Sequence, residues 1–251
     1  MFYKGKPIIL FQNMKPIKSL LFGIFGLLLL SACDDDVFGI KGEGPVVNEY
    51  RSVHDFQEIE LAVSATVFLS QGPKEEIRIE AQENILNNLE THVQGSTLKI
   101  KFDKNVRKHS HIRIWITSPE INGIAVSGSG SFKGANKIES DFLSVNVSGS
   151  GDVELELEAE QLHTAISGSG KCDYSGMAEQ HTITISGSGN VHGYDLQTKR
   201  SNVHVAGSGN AQVWTSERLD VQISGSGNVI YKGSPTTINS HISGSGKVRA
   251  Y

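Results

Sequence analysis

Short runs in which apolar and polar residues alternate recur through the second half of the chain. Examples are Leu143–Val147, His181–Ile185, Leu219–Ile223 and Ile238–Ile242. Apolar residues mostly occupy the last position of each run and the position two residues before it, and polar residues lie between them. This period of two is typical of a β-strand with one buried face.

Each run leads into the motif Ser-Gly-Ser-Gly. The motif begins at residues 127, 148, 167, 186, 224 and 243, and Ala206–Gly209 is a seventh copy with alanine in first place. The starts are separated by 21, 19, 19, 20, 18 and 19 residues, and the spacers show no helical stripe. A period near 20 residues indicates a solenoid, because one unit cannot bury its own apolar face.

The sequence therefore predicts an all-β fold, a right-handed parallel β-helix with coils of about 19 residues. Coils that stack about 4.8 Å apart would place equivalent residues above one another. Continued alternation through the motif would direct both glycines inward and both serines outward. Two glycines at one stacked position suggest a sharp corner, and a flat wall above a hollow is the alternative. The prediction includes one buried stack made of Ile166, Ile185, Val205, Ile223 and Ile242.

Residues 46–126 lack the motif but contain further alternating runs that predict strands. Asn84–Val93 is the helix candidate, with Asn84 as its N-cap. A solenoid needs its end strands covered, so we expect this segment to form an N-terminal cap and the first turns. The strand candidates are Glu58–Leu61, Ala65–Leu69, Glu76–Glu80, Thr97–Phe102 and His111–Thr117.

The first 32 residues have the layout of a secretory signal peptide. Lys15 and Lys18 precede the apolar run Leu20–Leu30, which is too short for a transmembrane helix. Leu30-Ser-Ala-Cys33 resembles the bacterial lipoprotein signal, and this resemblance implies cleavage before Cys33 and lipidation of that residue. An ordinary cleaved signal peptide that leaves a free cysteine is the alternative.

An acidic cluster, Asp34–Asp36, follows the predicted lipidation site. It resembles the surface-export signal of Bacteroidetes lipoproteins, and a merely solvated tether is the alternative. We therefore expect a lipid-anchored protein of the outer membrane, with the cell surface and the periplasm both open as its location. The predicted segments are the signal peptide 1–32, an acidic and glycine-containing tether 33–45, the cap with the first turns 46–126, and the repeat β-helix 127–251.

Several of these features together resemble the head GIN domain family. They are Phe56 and Ile59, a strand pair ending at Leu69-Ser-Gln-Gly72, a short helix, the run Thr97–Ile100 and the serial motif. The resemblance covers about residues 50–251. Members are described as auto-transporter adhesins and are frequent among Bacteroidetes lipoproteins. The resemblance implies a parallel β-helix, and it brings no established catalytic or binding residues.

Removal of residues 1–32 would leave an acidic protein. Lys plus Arg falls from 23 to 19, because this segment holds four lysines, while Asp plus Glu stays at 27. The resulting balance of −8 argues against a nucleic-acid partner, which requires a basic surface. Cys172 occupies a position that Val or Ala fills in other repeats, so we expect a small buried side chain rather than a reactive thiol.

We expect neither catalysis nor a metal or other cofactor. β-Helical polysaccharide lyases and hydrolases work with clustered carboxylates or with Lys or Arg and calcium. A two-carboxylate mechanism needs paired acids, whereas Asp152 and Asp220 have no acidic neighbour in their own stacked rows. The acids of Glu154–Glu160 alternate on one face, and we interpret them as solvated. His204 and His241 would lie about 9.6 Å apart, too far to share a zinc ion. The glycine motif also lacks the following helix of a phosphate-binding loop.

Outward serines and asparagines form a regular hydrogen-bonding surface, the candidate binding wall. It suits a glycan or an envelope or host protein, and the alternative is that these residues merely tolerate tight turns. The sequence thus favours a non-catalytic, lipid-anchored adhesin or glycan-binding protein, with the membrane as partner through its lipid. A carbohydrate-active β-helix enzyme and a scaffold that self-associates as a homo-oligomer are the alternatives. The wall consists of Ser148, Ser150, Ser167, Ser169, Ser186, Ser188, Asn190, Asn210, Ser224, Ser226 and Asn228.

Overall fold

The computed structural model describes Met1 and residues 39–251, so residues 2–32 of the predicted signal peptide, Cys33 and residues 34–38 of the predicted tether lie outside the described residues. Within the described part, no helix is long and apolar enough to cross a membrane. The elements are β1 (Ile40–Lys41), β2 (Val46–Arg51), β3 (Glu58–Leu61), β4 (Ala65–Gln71), β5 (Glu76–Gln82), α1 (Glu83–Leu86), β6 (Leu89–Gln94), β7 (Thr97–Phe102), β8 (Val106–Lys108), β9 (Ile112–Ser118), β10 (Gly123–Gly128), β11 (Ser131–Gly134), β12 (Ile138–Gly149), β13 (Asp152–Gly168), β14 (Lys171–Gly187), β15 (Asn190–Gly207), β16 (Asn210–Gly225), β17 (Asn228–Lys232), β18 (Thr237–Gly244) and β19 (Lys247–Ala250).

The repeat region is a stack of parallel coils. The long strands β13, β14, β15 and β16 contain 16–18 residues each and pair in parallel with their neighbours along most of their length. The pairing of Val153 with Cys172, and of Cys172 with Val191, shows a shift of 19 residues from one coil to the next. The predicted all-β parallel solenoid is confirmed.

The predicted apolar stack runs in register through the repeats. Ile166 pairs with Ile185, and the series continues through the remaining three members. The first four members are at most 1% exposed, whereas Ile242 is 40% exposed. Burial therefore follows from contact with the next coil, because the described chain places no coil beyond β18 over Ile242.

The glycine motif forms a corner between two walls of each coil. Gly149 and Gly168 have φ angles of +116° and +125°, which other L-residues rarely adopt. The amide of Ser169 donates a hydrogen bond to the carbonyl oxygen of Gly149 at 2.8 Å, so the corner stays in register with the coil before it. A Cβ atom on the second glycine, Gly170, would lie 2.5 Å from Cγ1 of Val147.

These geometries divide the two glycines of the motif between different roles. The second glycine is buried, as expected, while both serines are exposed. The expectation that the first glycine also points inward is wrong, because its positive φ interrupts the strand alternation. A corner, rather than a flat wall above a hollow, is therefore what the repeated glycines specify.

A second change of alternation occurs in each coil without any glycine motif. In β13, Ala159 and Leu162 are buried, whereas the two residues between them, Glu160 and Gln161, are both exposed. The chain therefore bends here as well. The surface beside this bend is concave.

The N-terminal region adds antiparallel strands to the parallel stack. β3 and β4 pair in parallel with β10 and β11 on one side and with β7 and β9 on the other. β5 then pairs antiparallel with β9 and β2, and β6 pairs antiparallel with β7. The five predicted strands of this region are all present within one or two residues of their predicted ends.

The predicted helix over Asn84–Val93 is wrong in extent. Only Glu83–Leu86 is helical, and the chain from Leu89 onward forms β6, which makes a hairpin with β7 around Gly95. Asn84 is not the N-cap, since its side chain instead accepts from the amide of Glu43 at 2.9 Å. The β-branched residues late in this segment favour a strand, and a pairing partner lies just beyond the turn.

Candidate functional site

The outward serines of the successive Ser-Gly-Ser-Gly motifs form a regular surface, which we call the serine corner. Ser148, Ser167 and Ser186 are paired in register, and the stack continues through Ala206 to Ser224. All of these side chains are exposed. Their hydroxyl groups make no hydrogen bond with another side chain or carbonyl of the described residues.

The second serine of each motif forms a parallel stack on the same corner. Its backbone amide is used by the fold, as when the amide of Ser188 donates to the carbonyl oxygen of Gly168 at 2.8 Å. Its side chain is exposed in each described repeat, including Ser150, Ser169, Ser188 and Ser226. The corner thus presents two rows of hydroxyl groups that are available as both donors and acceptors.

The predicted asparagines of the wall have a different role. Nδ2 of Asn210 donates to Oδ1 of Asn190 at 3.0 Å, and Nδ2 of Asn228 donates to Oδ1 of Asn210 at 3.0 Å. The three side chains are half-buried and form an amide ladder along the stack. The structure therefore places the serines and asparagines of the wall side by side but leaves only the serine hydroxyls without protein partners.

Acidic side chains are held mainly by neighbouring cations and amides. Asp220 accepts two hydrogen bonds from Arg218 and one from Asn239, and these bonds lower the pKa of its carboxyl group. Asp173 lies 2.8 Å from both Lys171 and His192. Among the described residues, no group of three or more His, Cys, Asp or Glu side chains is placed to hold a metal ion.

A polar cluster lies in the core, where the sequence pattern gave no indication of it. The Thr164 hydroxyl donates to the Tyr174 hydroxyl at 3.1 Å and lies 3.0 Å from Nε2 of His181. His181 is 1% exposed, and this burial lowers its pKa to about 3. Cys172 is fully buried, as predicted, and burial raises the pKa of its thiol to about 12. The cluster has no access to solvent and serves as internal structure.

An open pocket with a volume of about 650 Å³ lies beside the second bend of the coils. We call this pocket the acidic groove. Its floor is formed by inward-facing small residues that pair in register, Ser140, Ala159, Ala178 and Thr198. Outward side chains flank the floor on both sides. One flank carries Glu139, Glu158, Met177, Gln197 and Trp214, and the other carries Asp141, Glu160, Glu179, Lys199 and Ser216.

Solved structures share this architecture. A putative adhesin from Bacteroides fragilis NCTC 9343 matches with a TM-score of 0.81 and 26% identity, over 85% of this chain and 100% of that chain. A putative lipid binding protein from Parabacteroides distasonis ATCC 8503 matches with a TM-score of 0.70 and 26% identity, over 84% and 99% of the two chains. A putative adhesin from Parabacteroides merdae ATCC 43184 matches with a TM-score of 0.67 and 20% identity, over 84% of this chain and 98% of that chain. At this identity the match supports the fold alone.

The sequence itself also matches a family model. None of the curated proteins matches the chain. The model described as "Putative auto-transporter adhesin, head GIN domain" matches residues 55–235, which is more than half of the chain and includes strands of the cap as well as most of the repeats. This protein belongs to the head GIN domain family.

Proposed function

We propose that this protein is a non-catalytic, lipid-anchored adhesin of the bacterial outer membrane that binds neutral glycans through the serine corner. The observation that carries the proposal is the pair of exposed hydroxyl rows, in register along successive coils and without protein partners. Sugar hydroxyl groups are donors and acceptors like serine, so a periodic row offers several weak hydrogen bonds at once. The adhesin descriptions of the family and of the structural relative at 26% identity from Bacteroides fragilis agree with an envelope role.

A rigid scaffold favours this mode of binding. The corner is fixed by glycine geometry and by one backbone hydrogen bond per coil, so the hydroxyl spacing is set before a ligand arrives. Preorganisation of this kind reduces the entropic cost of binding. Individual contacts would still be weak, and useful affinity would come from many coils and many copies of the protein acting together.

The test is a set of serine substitutions read on immobilised neutral glycans. The variant Ser167→Ala/Ser169→Ala/Ser186→Ala/Ser188→Ala removes four hydroxyls, and the natural Ala206 shows that the first stack accommodates alanine. We expect a loss of binding of about tenfold or more, since each hydrogen bond contributes about 0.5–1.5 kcal/mol.

The matched control changes polar residues on the flat wall beside the corner. Thr184 and Gln222 belong to the stack that naturally contains Ala165 and His204, so Thr184→Ala/Gln222→Ala preserves the fold. This variant should bind like the unmodified protein. The serine corner would be rejected as the site if both variants lost glycan binding to the same extent. It would also be rejected if the unmodified protein bound no glycan of a broad panel.

Self-association is a second candidate function, favoured by the last coil. Ile238 and Ile242 occupy core positions there, yet they are 43% and 40% exposed. Because an exposed strand edge with apolar side chains favours pairing, a second copy could stack on this coil. Light scattering should then show concentration-dependent dimers that Ile242→Lys abolishes and Thr237→Lys, on an outward position, does not. A monomer at every concentration would exclude this role.

A further inference from the structure

The acidic groove combines charge and apolar surface in separate halves. Its flanks are contributed by β12, β13, β14, β15 and β16, so it runs along the stack and crosses the strands. Glu139, Glu158 and Met177 follow one another in register on one flank. Four coil spacings of about 4.8 Å give the groove a length of about 19 Å.

Carboxylates dominate the half of the groove nearer the N-terminal cap. Lys137 lies 2.8 Å from both Glu139 and Glu158, and Lys199 lies 2.8 Å from Glu179. Asp141 and Glu160 also line the groove, and neither forms an ion pair with a cation of the described residues. Five carboxylates and two ammonium groups leave a net charge of −3 in and beside the groove.

The half toward the last coil presents apolar surface. Met177 is 52% exposed, one of the most exposed large apolar side chains among the described residues. Trp214 stands two coils further along the same flank and is half-buried. Ala159 and Ala178 on the floor are only 8% and 5% exposed, so the outward side chains of the two flanks provide the surface that a ligand would contact. Exposed methionine and tryptophan are typical of surfaces that bind protein segments.

We propose that the acidic groove binds an extended, cationic segment of another protein, with Lys or Arg side chains at Asp141 and Glu160 and an apolar side chain at Met177 and Trp214. About six residues of extended chain span 19 Å. The net charge selects the partner, since carboxylates form charge-assisted hydrogen bonds with Lys and Arg and repel anionic glycans. A neutral glycan would leave the two unpaired carboxylates uncompensated. This site and partner are distinct from those of the serine corner.

The experiment measures binding of labelled octapeptides to the folded protein by fluorescence anisotropy. The probes carry four lysines in one half and two leucines in the other, in both orders, and a peptide with glutamate in place of lysine is the negative probe. We expect binding of at least one lysine peptide that weakens as salt is added, because exposed charges are screened. The glutamate peptide should not bind.

Variants locate the site. Asp141→Asn/Glu160→Gln removes the unpaired charges and should raise the dissociation constant about fivefold or more. Met177→Gln, which copies the neighbouring Gln197 of the same flank, should weaken binding without changing charge. Glu154→Gln/Glu156→Gln makes the same charge change on β13, the strand that carries Glu160, but outside the acidic groove, and should have little effect.

Three outcomes would overturn the proposal. They are absence of binding by both lysine peptides, equal weakening by the groove variant and the charge-matched control, and tighter groove-dependent binding of a glucosamine oligomer than of the peptides. The last result would assign the groove to a cationic glycan. Circular dichroism of each variant confirms that it remains folded, so a loss of binding reports on the surface.

Discussion

Acid is expected to destabilise this solenoid through His181. The imidazole lies in the core against Thr164 and Tyr174. It packs edge-on to the tyrosine ring, with the two ring centroids 5.6 Å apart. Burial, and then the nearby His163, lower its pKa from the ordinary histidine value of 6.5 to about 3. His181 therefore remains neutral in the folded protein at pH values near 6, at which the same residue of the unfolded chain already binds a proton.

The size of the effect follows from proton linkage. The unfolded state takes up a proton at His181 below pH 6.5, and the folded state does not do so until about pH 3. The contribution to stability is thus complete above pH 6.5 and is lost as the pH falls between these values. Each pH unit in this window costs about 1.4 kcal/mol, which gives about 2 kcal/mol between pH 7.5 and pH 5.

Urea unfolding at pH 7.5 and pH 5.0 measures this loss, with His181→Leu as the test variant. Leucine suits the site because Leu162 and Leu219 occupy the same stack, and Thr164 keeps its hydrogen bond to Tyr174. The variant should lose about 2 kcal/mol less than the unmodified protein between the two pH values. His204→Gln, at an exposed position, is the control and should behave like the unmodified protein.

The reasoning fails in two cases. If His181→Leu shows the same acid destabilisation as the unmodified protein, the proton is taken up by other groups. If the unmodified protein is equally stable at both pH values, His181 is not held neutral by the fold.

Three further predictions follow from the corner, the buried thiol and the N-terminus. Gly187→Ala should destabilise the protein by about 1–3 kcal/mol in thermal or urea unfolding. The cause is that Gly187 has a φ angle of +122° and that the new Cβ atom would lie 2.6 Å from the carbonyl oxygen of Gly168. Ser186→Ala, at the preceding residue, is the control and should leave the stability nearly unchanged. Cys172 should resist alkylation in the folded protein and react once urea unfolds it, as seen by mass spectrometry of its peptide; rapid labelling under native conditions would contradict its burial. Cys33→Ala should abolish incorporation of a labelled fatty acid and release the protein from the membrane fraction, and unchanged labelling would rule out this residue as the anchor.

The fold could be predicted from the sequence because its determinants repeat and act locally. Alternation with a period of two marks each strand, and a motif every 18–21 residues marks each coil. The stack from Ile166 to Ile223 and the exposure of the motif serines follow directly from these two periods. The predicted helix over Asn84–Val93 was too long, because the pairing of β6 with β7 ends the helix at Leu86.

The candidate sites depended on tertiary structure to different degrees. The serine corner is visible in the sequence, but the division of the wall into free serine hydroxyls and an asparagine ladder is not, since Asn190 and Asn210 bond across coils. The buried cluster also joins neighbouring coils, because Thr164 and His181 are 17 residues apart. No local pattern distinguishes such a buried histidine from an outward one.

The amino-acid sequence by itself determined the strands, the coil period, the corner glycines and the outward serines, because each depends on neighbours a few residues away or on the same position one repeat later. Tertiary structure decided what those coils bring together. The acidic groove exists because the parallel register of the coils, which no single segment of the sequence specifies, places Asp141, Met177 and Trp214 from separate coils along one concave surface. Stacking converts residues that are about twenty positions apart into neighbours, so a surface along the stack appears only once the register of the coils is known.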